Sequence, residues 1–115
     1  MNNLQRRLFD FAVKVLKYLR KIPNDRILMV IRNQLVRACT SPGAVYEEAQ
    51  GAVSRPDFHN KICICLKEVR ESNYWLRMIE ELNGKNDQLT DLIVESEELM
   101  KIVGTIGAKT LNKQC

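Results

Sequence analysis

Glutamates are the first residues in this chain that could do chemistry together. Glu68 and Glu71 stand three apart and share one face of any helix that carries them. Of Glu47 and Glu48, Glu48 could approach them if the second and third helices are neighbours. Carboxylates on facing helices can hold two metal ions, but that arrangement also uses Glu-x-x-His pairs. The single histidine, His59, has Pro56 at the matching offset. The simpler expectation is a set of ion pairs between helices, drawn from Arg37, Glu48, Lys61, Glu68, Arg70 and Glu71. Such pairs serve specificity more readily than stability.

The remaining nucleophiles are sparse. Cys63 lies four residues after His59, so those side chains can meet on a helix, but two ligands fall short of the three or four that zinc normally takes. Cys63 and Cys65 are two apart and face different ways. With Cys39 and Cys115 they read as structural thiols. Ser41 and Ser54 have no histidine at readable spacing, and Pro42-Gly43-Ala44 is not a phosphate loop. No metal, cofactor or catalytic set is expected.

Charge is the stronger signal. Residues 1–40 carry nine basic and two acidic side chains, and residues 41–115 carry nine basic and twelve acidic ones, within a net charge of +4. Arg6, Arg7, Lys14, Lys17, Arg20, Lys21 and Arg26 form a basic set, and Arg7, Lys14, Lys17 and Lys21 fall near one angular position of a helix. Such a face attracts nucleic-acid phosphates without reading sequence. Tyr18 is the only nearby aromatic that could stack on a base. The competing readings are a solvated face that aids solubility, or complementary charged faces that meet inside the molecule.

These residues sit on elements legible from apolar spacing. Apolar residues make up 45% of the 115, aromatics 6%, which suits helices. Leu4, Leu8, Phe11, Val15, Leu19 and Ile22 recur at helical spacing and predict a helix over about 3–20. Pro23 ends it, and Asn24 or Asp25 can cap the next, over about 26–51, with Ile27, Ile31, Leu35 and Ala38 inward. Pro42 either bends that helix or restarts it behind a Ser41 cap; one long kinked helix is the favoured reading. Ser54 with Asp57 approximates a capping box for a third helix over about 55–82, with Phe58, Ile62, Cys65, Val69, Leu76 and Ile79 inward. Asn83-Gly84-Lys85-Asn86-Asp87 is a turn, with Gly84 able to take the left-handed cap position. A fourth helix over about 88–111 uses Leu89, Leu92, Ile93, Leu99, Ile102, Val103 and Ile106, and residues 110–115 are expected to fray. Short connections between long helices predict one domain: an all-α, antiparallel up-down-up-down four-helix bundle. No apolar run spans a membrane, and residues 1–10 hold no hydrophobic signal core, so the chain reads as cytoplasmic.

Two stretches carry a family resemblance. One runs Gln34-Leu35-Val36-Arg37-Ala38-Cys39-Thr40-Ser41-Pro42-Gly43-Ala44-Val45-Tyr46-Glu47-Glu48-Ala49. The other is Asp57-Phe58-His59-Asn60-Lys61-Ile62 followed by Leu66-Lys67-Glu68-Val69-Arg70-Glu71-Ser72-Asn73-Tyr74-Trp75-Leu76. Together they resemble the bacterial four-helix-bundle proteins of the rRNA intervening-sequence, S23-like type, over roughly Leu8 to Ile106. Arg37, Thr40, Ser41, Gly43, Ala44, Tyr46, Glu48 and Ala49 match that family's second-helix motif. Lys61, Leu66, Lys67, Glu68, Arg70, Glu71, Tyr74, Trp75 and Leu76 match its third-helix motif. Pro42 and Val45 depart from the aliphatic residue and the asparagine common there. The resemblance implies a homo-oligomeric ring, typically a pentamer. For a related branch it implies binding to RNA or DNA and contact with a reverse transcriptase. Tyr74 and Trp75, pointing about 100° apart, would then serve oligomer packing.

Overall fold

The structure, a computed structural model, describes residues 2–115; Met1, the first residue of the segment read for a signal core, lies outside them. Four helices follow in order: α1 (Asn3–Leu19), α2 (Arg26–Ala49), α3 (Arg55–Asn83) and α4 (Asp87–Leu111). Helices consecutive in sequence are neighbours in space, and α1 closes against α4, as an up-down-up-down bundle requires. The longest helix, α3, has 29 residues, and at about 1.5 Å per residue it accounts for the 44 Å long axis of the molecule.

Each helix starts on a side chain that satisfies an orphan backbone donor. Asn2 and Gln5 form a reciprocal capping box: Gln5 N donates to Asn2 Oδ1 at 2.8 Å and Asn2 N to Gln5 Oε1 at 2.7 Å. Asp25 accepts from Leu28 N and Asn86 from Leu89 N, both at 2.8 Å. Ser54 accepts from Asp57 N, and the Asp57 carboxylate reaches back to Val53 N, one residue earlier than a capping box would place it; both contacts are 3.1 Å. Gly84 ends α3 at φ 87°, ψ 166°, a conformation that is not the left-handed helical cap but is equally confined to glycine.

The core is the expected stripe of α1 together with Leu35, Ile62, Val69, Leu76, Ile79, Leu89, Leu99 and Val103. In α2 one expectation is corrected and one choice between alternatives is decided. Its inward face is formed by Leu28, Ile31, Leu35, Ala38, Cys39, Pro42, Tyr46 and Ala49. Ile27, expected inward, is 68% exposed because it lies one position off that stripe, at the start of the helix. At Pro42 the helix continues unbroken, with the ring buried, which excludes the cap-and-restart alternative. The proline leaves the Ala38 carbonyl without its helical donor.

The end of the chain also differs from expectation. Instead of fraying, it turns back: Asn112 adopts the left-handed conformation (φ 51°, ψ 41°) and Lys113 N donates to Ala108 O at 3.1 Å. This brings Cys115 onto α3, where it forms a disulfide with Cys63, 52 residues away in sequence. The structural-thiol reading therefore holds for Cys39 and Cys65 only. Both are buried, and desolvation pushes the pKa of each thiol up to about 12, so they stay protonated and unreactive.

Candidate nucleic-acid interface

The seven basic residues of α1 and its surroundings divide into two groups. Arg7 is engaged within the fold. Its Nε donates to Glu95 Oε2 at 3.1 Å and its Nη2 to Glu95 Oε1 at 2.6 Å, with Glu98 3.4 Å from the same nitrogen. The hydrogen bond with Glu95 holds the guanidinium above its ordinary pKa. Arg6 lies 3.9 Å from Asp10, four residues along its own helix. Lys14 borders the same small hollow as Arg7, Asp91 and Glu95. Arg7 thus meets the acidic face of α4, while Lys14 is exposed and makes no ion pair among the described residues.

Lys17, Arg20, Lys21 and Arg26 form the second group. All four are exposed, and among the described residues none makes an ion pair. They cluster at the last turn of α1 and the first of α2, at the same end of the bundle as the Gly84 turn, where Lys21 Nζ donates to Gln88 Oε1 at 3.4 Å. Pro23 and the Asp25 cap turn the chain so that α1 and α2 present these cations together. The Ile22 carbonyl, held at 3.2 Å by Arg32 Nη2, ties the connection to α2. Tyr18 is buried, and desolvation raises the pKa of its phenol; it offers no surface for base stacking.

The proposed interhelix pairs are placed unevenly. Arg37 on α2 bridges to α3, with Nη2 2.6 Å from Glu71 Oε2 and Nη1 3.5 Å from Glu68 Oε2. Glu71 Oε2 also accepts from Trp75 Nε1 at 3.0 Å, so one carboxylate oxygen serves both neighbours. Lys61 is not part of this group; its ammonium goes to Asp57 at 2.7 Å, one turn earlier on α3. Glu48 and Arg70 are exposed and make no ion pair among the described residues. Tyr74 and Trp75 split as adjacent helical residues must. Trp75 packs against the core, while Tyr74 is 47% exposed, edge-on to Trp75 and beneath Arg77.

An apolar groove between α1 and α2 carries no signal in the sequence beyond a widened stripe. It is about 360 Å³ and is lined by Phe9, Ala12, Val13, Leu16, Gly43 and Ala44 among others. Phe9 is 52% exposed at its edge. Gly43 faces Leu8 of α1, where a Cβ would stand in ordinary contact at 3.7 Å.

Comparison with known proteins agrees with this architecture. The family model described as 23S rRNA-intervening sequence protein matches residues 2–105. The chain belongs to this family. Among solved structures, a protein of unknown function from the S23 ribosomal protein family of Bacteroides thetaiotaomicron superposes with a TM-score of 0.82. It is 31% identical, over 90% of this chain and 97% of that one. No curated protein matches the chain. No helix is long and apolar enough to cross a membrane, among the described residues.

Proposed function

We propose that this chain is a non-enzymatic accessory bundle that binds RNA or DNA phosphates through the corner formed by Lys17, Arg20, Lys21 and Arg26. The observation that carries the reading is the contrast within the basic face. Arg7 is committed to Glu95 and Glu98, whereas these four cations are exposed, adjacent and free of carboxylate partners among the described residues. Four point charges without an exposed aromatic favour backbone contact over base readout. Affinity should therefore be nearly indifferent to sequence and steep in salt. The matched family's description, which names the 23S rRNA intervening sequence, is consistent with such a partner. Titrating labelled RNA and DNA at several salt concentrations, with K17E/R20E/K21E alongside wild type, tests it. Binding that is absent at low salt, or unchanged in the variant, defeats the reading.

A second reading is favoured by the α1–α2 groove. Its apolar lining and exposed rim suit a second copy of the chain, which agrees with the homo-oligomeric ring implied by the S23-like resemblance. Assembly through this groove, rather than through Tyr74 and Trp75, would repeat the basic corner around an axis. It would equally suit a purely structural module, with a nucleic-acid-handling protein such as a reverse transcriptase as a further partner. Light scattering at several concentrations separates a monomer from an assembly.

A further inference from the structure

We infer that His59, Cys63 and Cys115 form a binding site for a soft divalent cation of the zinc class when the two sulfurs are reduced. Sequence counts two ligands here; the fold adds the third by folding the tail 112–115 back across α4. One donor atom from each residue lies within 4.8 Å of the other two. His59 Nε2 is 3.4 Å from Cys63 Sγ. Zinc bound tetrahedrally at about 2.0–2.1 Å to nitrogen and about 2.3 Å to sulfur puts neighbouring donor atoms roughly 3.5–3.8 Å apart. The nitrogen–sulfur edge is thus already close to that spacing. Opening the sulfur pair requires movement of Cys115 alone, at the exposed end of the tail.

The histidine supplies an independent indication. It is 7% exposed, and its Nδ1 lies 2.9 Å from the Gly107 carbonyl, which can only accept. Nδ1 therefore carries the proton, and the lone pair of the neutral ring is on Nε2, aimed at the sulfurs. A disulfide has no proton to offer it, so in the oxidised chain this buried acceptor has no donor. A ring fixed through Nδ1–H to a backbone carbonyl with Nε2 presented inward is the orientation of a metal-binding histidine. Gly107 serves the site twice. It gives the carbonyl, and its missing side chain makes room for the returning tail, because a Cβ there would stand 2.6 Å from Cys115 Sγ where the disulfide holds it.

Two thiolates and an imidazole select zinc-like ions over magnesium or calcium. Exposure of Cys115 leaves the fourth position to water. A dithiol or phosphine reductant delivers two electrons to the Cys63–Cys115 bond, and two protons complete the thiols. Metal binding then releases both protons as the two metal–sulfur bonds form. In a reducing compartment the sulfurs are thiols, so the cation and the disulfide are alternative states of one clamp.

The test uses the full chain, reduced anaerobically with a phosphine and verified to hold four free thiols, titrated with cobalt(II). The expected result is one equivalent bound with a thiolate-to-cobalt charge-transfer band and tetrahedral ligand-field absorption, displaced by zinc, with two protons released per metal. C115S, at the exposed tail, and G107A, which keeps a good helix former in α4, should each retain native helicity by circular dichroism. C115S should weaken binding by more than the roughly 10–100-fold that loss of an outer-shell partner costs, and G107A by less than C115S, because Cys115 can move away from the added methyl. A reduced wild-type chain without the band, or affinity unchanged in C115S, overturns the assignment.

Discussion

Arg7 of α1 grips Glu95 of α4 with both Nε and Nη2, at 3.1 and 2.6 Å, across 88 residues of sequence. The pair closes the first helix against the last. Both side chains remain roughly a quarter to a third exposed (27% and 32%), so solvent screens the attraction. A double-mutant cycle of R7A and E95A in urea should give a coupling of about 0.3–1 kcal/mol. A coupling of zero would mean that packing alone holds α1 to α4.

The same geometry sorts the basic residues by role. R7A should leave the salt dependence of nucleic-acid binding near that of wild type. Removing Lys17 or Arg20 should flatten the slope of log affinity against log salt. The change should be about 0.7 for single strands and about 0.9 for duplex DNA, for each phosphate no longer neutralised. An R7A slope that drops as far as that of K17A would return Arg7 to the interface.

A buried polar chain crosses the α3–α4 seam. Asn73 Nδ2 donates to Ser96 Oγ at 2.8 Å, Ser96 Oγ donates to Ile93 O at 2.7 Å, and Arg77 Nε donates to Asn73 Oδ1 at 2.8 Å. S96A strands the Asn73 amide in the core. It should cost about 1–3 kcal/mol in denaturant unfolding, and a neutral S96A would show that the amide has found another acceptor.

Asp57 couples stability to pH. Its hydrogen bond with Lys61, and then the one from Val53 N, hold its pKa below the ordinary 3.8. A carboxyl whose folded pKa is depressed contributes stability that is complete above the unfolded value and lost as pH falls through the folded one. D57N should therefore lower the unfolding midpoint at neutral pH, and the gap to wild type should shrink as pH falls below about 4. A gap that is constant over that range would rule out the carboxylate charge as its source.

Reduction of the Cys63–Cys115 bond frees a loop of 52 residues in the unfolded chain. In the chain-entropy treatment this is an upper stabilisation of roughly 4 kcal/mol. C115S compared with wild type under oxidising conditions, in the absence of metal, should approach that loss. The two proteins should unfold alike under reductant.

The helices are legible in the sequence because their signals are local. Apolar spacing marks α1, and Asp25, Ser54 and the Gly84 turn mark where runs of backbone donors or acceptors must end. In α2 the spacing turns Ile31, Leu35 and Ala38 inward, as they are, but takes Ile27 where Leu28 is buried, because aliphatic residues run together there and nothing local chooses between them. The site residues depend on contacts that local patterns do not contain. Nothing near Arg7 announces Glu95, and Cys115 reads as a loose end until Asn112 reverses the chain and Gly107 leaves room for its sulfur. Arg37, by contrast, meets Glu68 and Glu71 because α2 and α3 are joined by a short turn, so their facing positions can be counted from it.

Lys17, Arg20, Lys21 and Arg26 form the proposed phosphate-binding corner. Its most direct test is the affinity of the wild-type chain and K17E/R20E/K21E for one labelled RNA, measured across a salt series at matched helicity. A phosphate-binding corner gives tight binding at low salt that falls steeply as salt rises, and a large loss in the variant with a flatter slope. Equal affinities and equal slopes for the two proteins would contradict it.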